Sequence, residues 1–224
     1  MPDALFDTSR DHLDRDYTPD AVAAAFCRWL QIPAGARVLE PSVGGGAWAR
    51  GLRATQAGVI VGADIDPAAR GLRAVDIPLV GDFVGDLGEG DPSPLDSAGP
   101  FDLVVGNPPF GPATAHVRRA LTLAPVVGLL LRQTYIQPTP KGVTRDGVVV
   151  SEPRREFLRA NPLWGVWYWP DRIGFGGART GDSVLHGLHI WVRGWTGDSW
   201  TTTMCRPDEP GWMPPAVPWG GVVR

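Results

Sequence analysis

Residues 36–66 read ARVLEPSVGGGAWARGLRATQAGVIVGADID. The stretch opens as a short apolar strand from Ala36 to Glu40 and turns through Pro41-Ser42-Val43-Gly44-Gly45-Gly46. A helix over about 47–57 follows, then a second strand from Gly58 to Ala63, closed by Asp64-Ile65-Asp66. Strand, turn, helix and strand in so short a span form the crossover unit of a parallel sheet, because two parallel strands need a helix-length connection.

The chain on either side repeats the alternation. Toward the N-terminus, Thr18 reads as an N-cap with Pro19 at the first helical position and Asp20 in the first turn. Val22, Ala25, Phe26, Trp29 and Leu30 then share one face, so the spacing predicts a helix over about 19–31, ended by Pro33 and Gly35. Residues 1–16 carry many acids and no period, and are expected to be a mobile lead-in. Toward the C-terminus, a short helix after Pro67 leads to a third strand near 75–80. Residues 85–100 are rich in Gly, Pro, Ser and Asp and read as a loop. Next come a strand from Phe101 to Gly106, a helix over about 113–123 and a strand from Val126 to Leu131. A polar loop over about 137–147 precedes a helix at 153–160 capped by Ser151, then strands at Trp164–Trp169 and 186–193 joined by 171–183. The tail holds prolines and tryptophans without a period and is expected to wrap the surface or lack order. The domain reading is therefore a lead-in over 1–16, one α/β domain over 17–200, and a tail over 201–224.

Composition narrows the functional classes. With 43% hydrophobic and 20% charged residues in 224, the chain can bury a full core. No apolar run reaches membrane-spanning length, and the start is acidic (Asp3, Asp7, Asp11, Asp14, Asp16), so no membrane partner is expected and a cytoplasmic location is. Cys27 and Cys205 lie far apart with no paired-ligand spacing, so neither zinc nor any other metal is expected. The net charge of −3 argues against indiscriminate coating of nucleic acid. Its distribution is uneven: residues 1–100 hold 8 arginines against 15 acids, and residues 101–224 hold 13 basic residues against 9 acids. Random surface variation or an anionic substrate meeting the second half would both produce this.

Four strand ends carry candidate chemistry. Glycines at 44–46, between a strand and a helix, serve either a tight turn or the close approach of backbone amides and a helix N-terminus to a ligand. The absence of GxxxxGKS excludes a nucleoside triphosphate P-loop. Asp64 lies 18 residues beyond Gly46, the spacing at which a nucleotide-binding fold sets a carboxylate on ribose hydroxyls. Asp82-Phe83 after the third strand offers an acceptor for an exocyclic amine and a ring for its heterocycle, although loops also use Asp for turns. Asn107-Pro108-Pro109-Phe110 after the fourth strand presents a side-chain carbonyl and the Pro108 carbonyl, aimed by prolines whose φ is locked. An –NH2 with two hydrogens is the matching ligand, and Phe110 can stack on the ring bearing it.

Asn107-Pro108-Pro109-Phe110 resembles the catalytic motif of S-adenosylmethionine-dependent amino methyltransferases, above all the N6-adenine DNA methyltransferases. Leu39-Glu40-Pro41-Ser42-Val43-Gly44-Gly45-Gly46 resembles their cofactor loop, LEPSAGxG, with Val43 in place of the commoner Ala. Tyr17-Thr18-Pro19 resembles the motif for the cofactor carboxylate, and Asp64 and Asp82 stand at the ribose and adenine positions, each followed by an apolar residue, Ile65 and Phe83. The stretches Arg172-Ile173-Gly174-Phe175, Thr180-Gly181-Asp182-Ser183 and His189-Ile190-Trp191-Val192 are similar to the end of short phage and prophage members.

The resemblance implies a Rossmann-like class I methyltransferase fold, a mostly parallel seven-stranded sheet with an antiparallel C-terminal strand and helices on both faces. It implies S-adenosyl-L-methionine as cofactor, held by Tyr17, Thr18, Pro19, Glu40, Pro41, Ser42, Gly44, Gly46, Asp64, Ile65, Asp82, Phe83 and Asn107. Asn107, Pro108, Pro109 and Phe110 would be catalytic, acting on adenine N6 in nucleic acid, with DNA favoured. Lys141, Arg145, Arg172 and Arg179, with Arg154 and Arg155, are candidates for the nucleic-acid backbone. RNA adenine and a protein glutamine, acceptors that similar Asn-Pro-Pro motifs serve, are the enzymatic alternatives, and binding of S-adenosylmethionine or nucleic acid without turnover is a third, to which only Val43 and the acidic charge point.

Overall fold

Eight of the strands form one sheet in a computed structural model that describes residues 17–90, 92–136, 144–145, 148–149, 154–177, 183–197 and 201–220. The strands are β1 (Arg37–Glu40), β2 (Val59–Asp64), β3 (Ile77–Val80), β4 (Leu103–Gly106), β5 (Val126–Arg132), β8 (Gly165–Tyr168), β9 (His186–Val192) and β10 (Thr201–Met204), in the order β10-β8-β9-β5-β4-β1-β2-β3. The short pair β6 (Thr144–Arg145) and β7 (Val148–Val149) stands apart. All neighbours in the main sheet are parallel except at β9, which runs antiparallel to both β5 and β8.

The helices are α1 (Asp20–Trp29), α2 (Ala47–Arg53), α3 (Pro94–Ala98), α4 (Ala113–Leu123) and α5 (Arg154–Ala160). Strand residues alternate between two buried layers, as a sheet covered on both faces requires. Val38, Leu103, Val105, Val126 and Leu130 face α1 and α2, joined by Phe26, Trp29 and Trp167. Leu39, Val104, Val127, Leu129 and Leu131 face α3 and α4, joined by Leu95, Val117 and Phe157. Each large apolar side chain buried this completely stabilises the fold by about 1.5–3 kcal/mol.

The parallel α/β architecture follows the expectation, with local differences. The sheet has eight strands rather than seven: Thr201–Met204, read from the sequence as the start of the tail, pairs with β8. A run of three threonines and a methionine lacks an apolar strand signature, and Met204 is 49% exposed, so the sequence shows no sign of this strand. The antiparallel strand is β9, with β10 following it in the chain.

The expected loop at 85–100 contains α3, started by a capping box in which Ser93 Oγ accepts from the Asp96 amide at 3.1 Å and the Asp96 carboxylate accepts from the Ser93 amide at 3.3 Å. Five residues are too few to show a helical period. The cap of α1 is Pro19, not Thr18. Thr18 Oγ1 instead accepts a hydrogen bond from Trp48 Nε1 at 3.2 Å, tying the start of α1 to α2.

Trp164 and Trp167 are core residues, and Trp169 is half-buried against the same core. In the tail, Trp212 packs edge-on against Trp29 with centroids 5.3 Å apart, and Trp219 Nε1 donates to the Leu30 carbonyl at 3.0 Å, so this segment lies across α1. Both cysteines are buried free thiols. Among the described residues no helix is long and apolar enough to cross a membrane.

Candidate active site

The carboxyl ends of β1, β2, β3 and β4 open on one cavity of about 840 Å³. Open parallel sheets bind ligands there, because loops leaving adjacent strands in opposite directions part and leave a crevice.

The glycine turn after β1 is dictated first by the protein's own packing. Gly44 and Gly46 have φ of +46° and +84°, the left-handed region. A Cβ on Gly44 would lie 2.8 Å from the Tyr17 ring, and one on Gly46 would lie 2.9 Å from Gly71 Cα. The turn is therefore pressed between Tyr17 and Gly71, whose amide donates to the Gly44 carbonyl at 2.9 Å. Gly44 lines the cavity; Gly46, expected to do so, is absent from its wall and serves the contact with Gly71.

Asp64 braces this turn. Its Oδ2 accepts from the Gly44 amide at 2.7 Å and its Oδ1 accepts from the Asp66 amide at 2.9 Å. Each oxygen retains a lone pair for a further donor. Beside it Ile65 is 54% exposed, a large apolar side chain turned into a cavity rather than a core. Asp82 accepts from the Val84 amide at 3.0 Å, and Phe83 is buried with its ring stacked on His116. Arg50 links the turn to α1, donating to Asp20 at 2.6 and 2.9 Å and to the Gly45 carbonyl at 2.9 Å.

Glu40 ends β1 fully buried in the cavity wall, and neither carboxyl oxygen has a hydrogen bond of good geometry. Burial, followed by the negative charge of Asp64, holds this carboxyl well above the usual range; the Ala49 amide and Arg50 offset this only in part. A neutral acid at this position can become a carboxylate when a cation arrives.

Asn107, Pro108, Pro109 and Phe110 form the cavity wall beyond β4. The Phe110 ring lies 5.8 Å from Phe175, 5.4 Å from His186 and 4.3 Å beneath the Arg132 guanidinium. Arg132 and His186 meet there because they are register partners at the end of the β5–β9 pair. Tyr17 adds a strap: its carbonyl accepts from the Gly176 amide at 2.9 Å, joining the segment before α1 to the one carrying Phe175.

Tyr17, Thr18, Pro19, Pro41, Ser42, Asp82 and Phe83 also line the cavity, so the two groups of site residues expected from the sequence come together, Gly46 excepted. Of the basic residues expected to meet nucleic acid, the side chains of Arg154 and Arg172 are described, and neither lines the cavity. Arg172 is exposed and outside the cavity wall. Lys141, Arg179 and Asp182 lie outside the described residues, as do residues 1–16 and Ser151; for Arg145 only the strand backbone is described, and for Arg155 only the helix. Among the described residues no group of three or more His, Cys, Asp or Glu could hold a metal.

Sequence reasoning missed His116, Trp48, Arg50, Arg132 and His186. His116 falls on the buried face of α4 with Ala113, Val117 and Ala120, a spacing that reads as core and hides a cavity residue.

No family model matches the sequence, and no curated protein matches it. The likeness is to solved structures. A Pyrococcus horikoshii protein assigned as an RNA methyltransferase superimposes with a TM-score of 0.54 at 14% identity, covering 78% of this chain and 83% of that one. The methyltransferase subunit of a type I restriction-modification system from Streptococcus thermophilus gives 0.56 at 15% identity, covering 81% of this chain and 46% of that one. The M protein of the type I restriction enzyme EcoKI gives 0.57 at 12% identity, covering 84% and 45%. The chain thus spans about half the length of the type I subunits it resembles. At these identities the likeness establishes a Rossmann-like methyltransferase fold.

Proposed function

We propose that this chain transfers a methyl group from S-adenosyl-L-methionine to the exocyclic N6 amine of adenine in nucleic acid, with DNA as the favoured acceptor. The observation that carries the reading is the meeting of Asn107-Pro108-Pro109-Phe110 with the braced glycine turn, Asp64 and Asp82 in one cavity. Type I modification subunits and RNA methyltransferases share the fold, which supports methyl transfer and leaves the acceptor to be argued from the site.

The residues present fit the cofactor. The cavity has room for it, and buried Glu40 supplies carboxyl oxygens without good hydrogen bonds, suited to a cationic ligand. Tyr17, Thr18, Pro19, Pro41, Ser42 and Gly44 would hold the amino-acid end, Asp64 the ribose, and Ile65, Asp82 and Phe83 the purine. When bound, S-adenosyl-L-methionine supplies an electrophilic methyl on sulfur, which the acceptor nitrogen takes with loss of one proton to water.

The chain's own residues prepare that nitrogen. The adenine amine donates its lone pair into the ring and is a poor nucleophile. Hydrogen bonds from both N–H groups to Asn107 Oδ1 and the Pro108 carbonyl favour a tetrahedral nitrogen with its lone pair directed at the methyl. Positioning and fixed dipoles supply the rate without a strong base. Phe110 offers a face to the heterocycle, which in a duplex must first leave the stack.

The test supplies labelled cofactor with unmethylated DNA, RNA and protein in parallel, followed by mass spectrometry of the product base. Label in N6-methyladenine of DNA is the expected result, and Asn107→Ala lowers kcat by roughly 100-fold or more while cofactor still binds. Transfer to RNA or protein alone overturns the DNA assignment. Full activity in Asn107→Ala overturns the catalytic one.

A further inference from the structure

His116 is a histidine in the cavity wall that neither the motifs nor the proposed transfer uses. It stands on α4 and is 4% exposed. Its ring stacks on Phe83 with centroids 5.4 Å apart and planes 30° from parallel. Nδ1 lies 3.3 Å from the Pro112 carbonyl. A carbonyl only accepts, so this contact requires the proton on Nδ1 and leaves Nε2 with its lone pair. Burial lowers the histidine's pKa, with the Pro112 contact and the Asp82 charge opposing it, which keeps the ring neutral near pH 7. Nε2 has no hydrogen-bond partner among the described residues, nor is it one of the buried polar atoms sealed from solvent.

An unmade hydrogen bond on a buried polar group costs roughly 1–3 kcal/mol, which a ligand's donor at Nε2 would recover. On a cavity residue, a neutral ring presenting one fixed acceptor is suited to a ligand that donates. Asp82, whose charge acts on His116, is a second acceptor on the same wall.

We propose that His116 reads the exocyclic amine of the cofactor's purine through Nε2, with Asp82 accepting the amine's other hydrogen. This rests on the reading that the purine lies against Phe83. The cavity then holds two amino-reading pairs of acceptors, Asp82 with His116 for the donor's purine and Asn107 with the Pro108 carbonyl for the acceptor's. An inosine-type purine, which presents a carbonyl oxygen in place of the amine, meets two acceptors and is refused.

Calorimetric titration of the full chain with S-adenosyl-L-homocysteine and with S-inosyl-L-homocysteine tests the assignment. The wild type should favour the adenosyl ligand by on the order of 10–100-fold, the discrimination of a site built around hydrogen-bond acceptors. His116→Phe keeps a ring against Phe83 and has no acceptor, and should cut that preference by about 5–10-fold, the worth of one such hydrogen bond. His116→Gln restores an acceptor and should regain part of it. The preference is a ratio within one protein, so a general loss of stability in a variant cancels from it. An unchanged ratio in His116→Phe overturns the assignment and leaves the transferase reading standing. Failure of the wild type to bind either ligand overturns both.

Discussion

The two ends of the cavity are held by different kinds of bond. Around β1, β2 and β3 the polar groups are braced by the nearby backbone: Asp64 spans the amides of Gly44 and Asp66, and Asp82 holds that of Val84. Around β4 and β5 the Phe110 ring is set by side chains from three other segments, Arg132, Phe175 and His186, with the Tyr17 to Gly176 bond beside them. The first end is a frame of short, directional bonds that forms as its loops close. The second depends on the register of β9 against β5 and on packing across the sheet. A frame of this kind suits a ligand that never changes, and an assembly of side chains suits the place where specificity must be set.

Removing the brace gives the largest effect. Asp64→Ala takes away both the proposed ligand for ribose hydroxyls and the acceptor that holds the Gly44 amide. Charge-assisted hydrogen bonds are worth about 1.5–3 kcal/mol each, so cofactor affinity should fall by roughly 10–100-fold in calorimetry. The KM for acceptor, measured at saturating cofactor, should barely move. If affinity for the cofactor changes by less than about twofold, the frame is not what holds it, and the contrast between the two ends is lost.

An intermediate effect falls at the other end. Arg132→Ala removes the guanidinium over Phe110, a contact worth about 0.5–1 kcal/mol at a partly exposed site. The KM for the proposed nucleic-acid acceptor should rise about 2–5-fold while cofactor affinity stays constant, the opposite of the pattern expected for Asp64→Ala. Arg132→Lys should behave like the alanine variant, because a point charge does not reproduce a planar stacked cation. Equal losses of cofactor and acceptor binding would show that the two ends are one unit.

The same division decides how much could be read from the sequence. Apart from β10, the sheet was legible because its strands are apolar runs bounded by turn residues, and the glycine turn, Asp64 and Asp82 were legible because each stands at the end of its strand. What escaped has no local pattern. Arg132, Phe175 and His186 converge on Phe110 only through long-range pairing, and spacing along the chain does not encode that. His116 was hidden by its place on an apolar helix face. α3 is shorter than two helical turns, and β10 is polar, so neither shows a period.

Glu40 lies between the two ends and belongs to neither in its bonding. It closes β1, yet a Cβ on Gly106, next to Asn107, would come within 3.4 Å of its Cγ. Unlike Asp64 and Asp82 it has no well-formed hydrogen bond, and burial with the Asp64 charge raises its pKa. The folded chain therefore keeps a proton that the unfolded chain releases once pH exceeds the ordinary carboxyl value. Stability from this group is complete below that value and is lost as pH rises toward the raised one. Glu40→Gln keeps the shape and cannot ionise, so its melting temperature without cofactor should match the wild type near pH 4 and exceed it by a few degrees near pH 8. This is the smallest of the effects, and it sharpens the contrast most finely. A variant less stable than the wild type at pH 8 would mean that Glu40 is bonded as a carboxylate in the ligand-free protein, which would make it part of the frame.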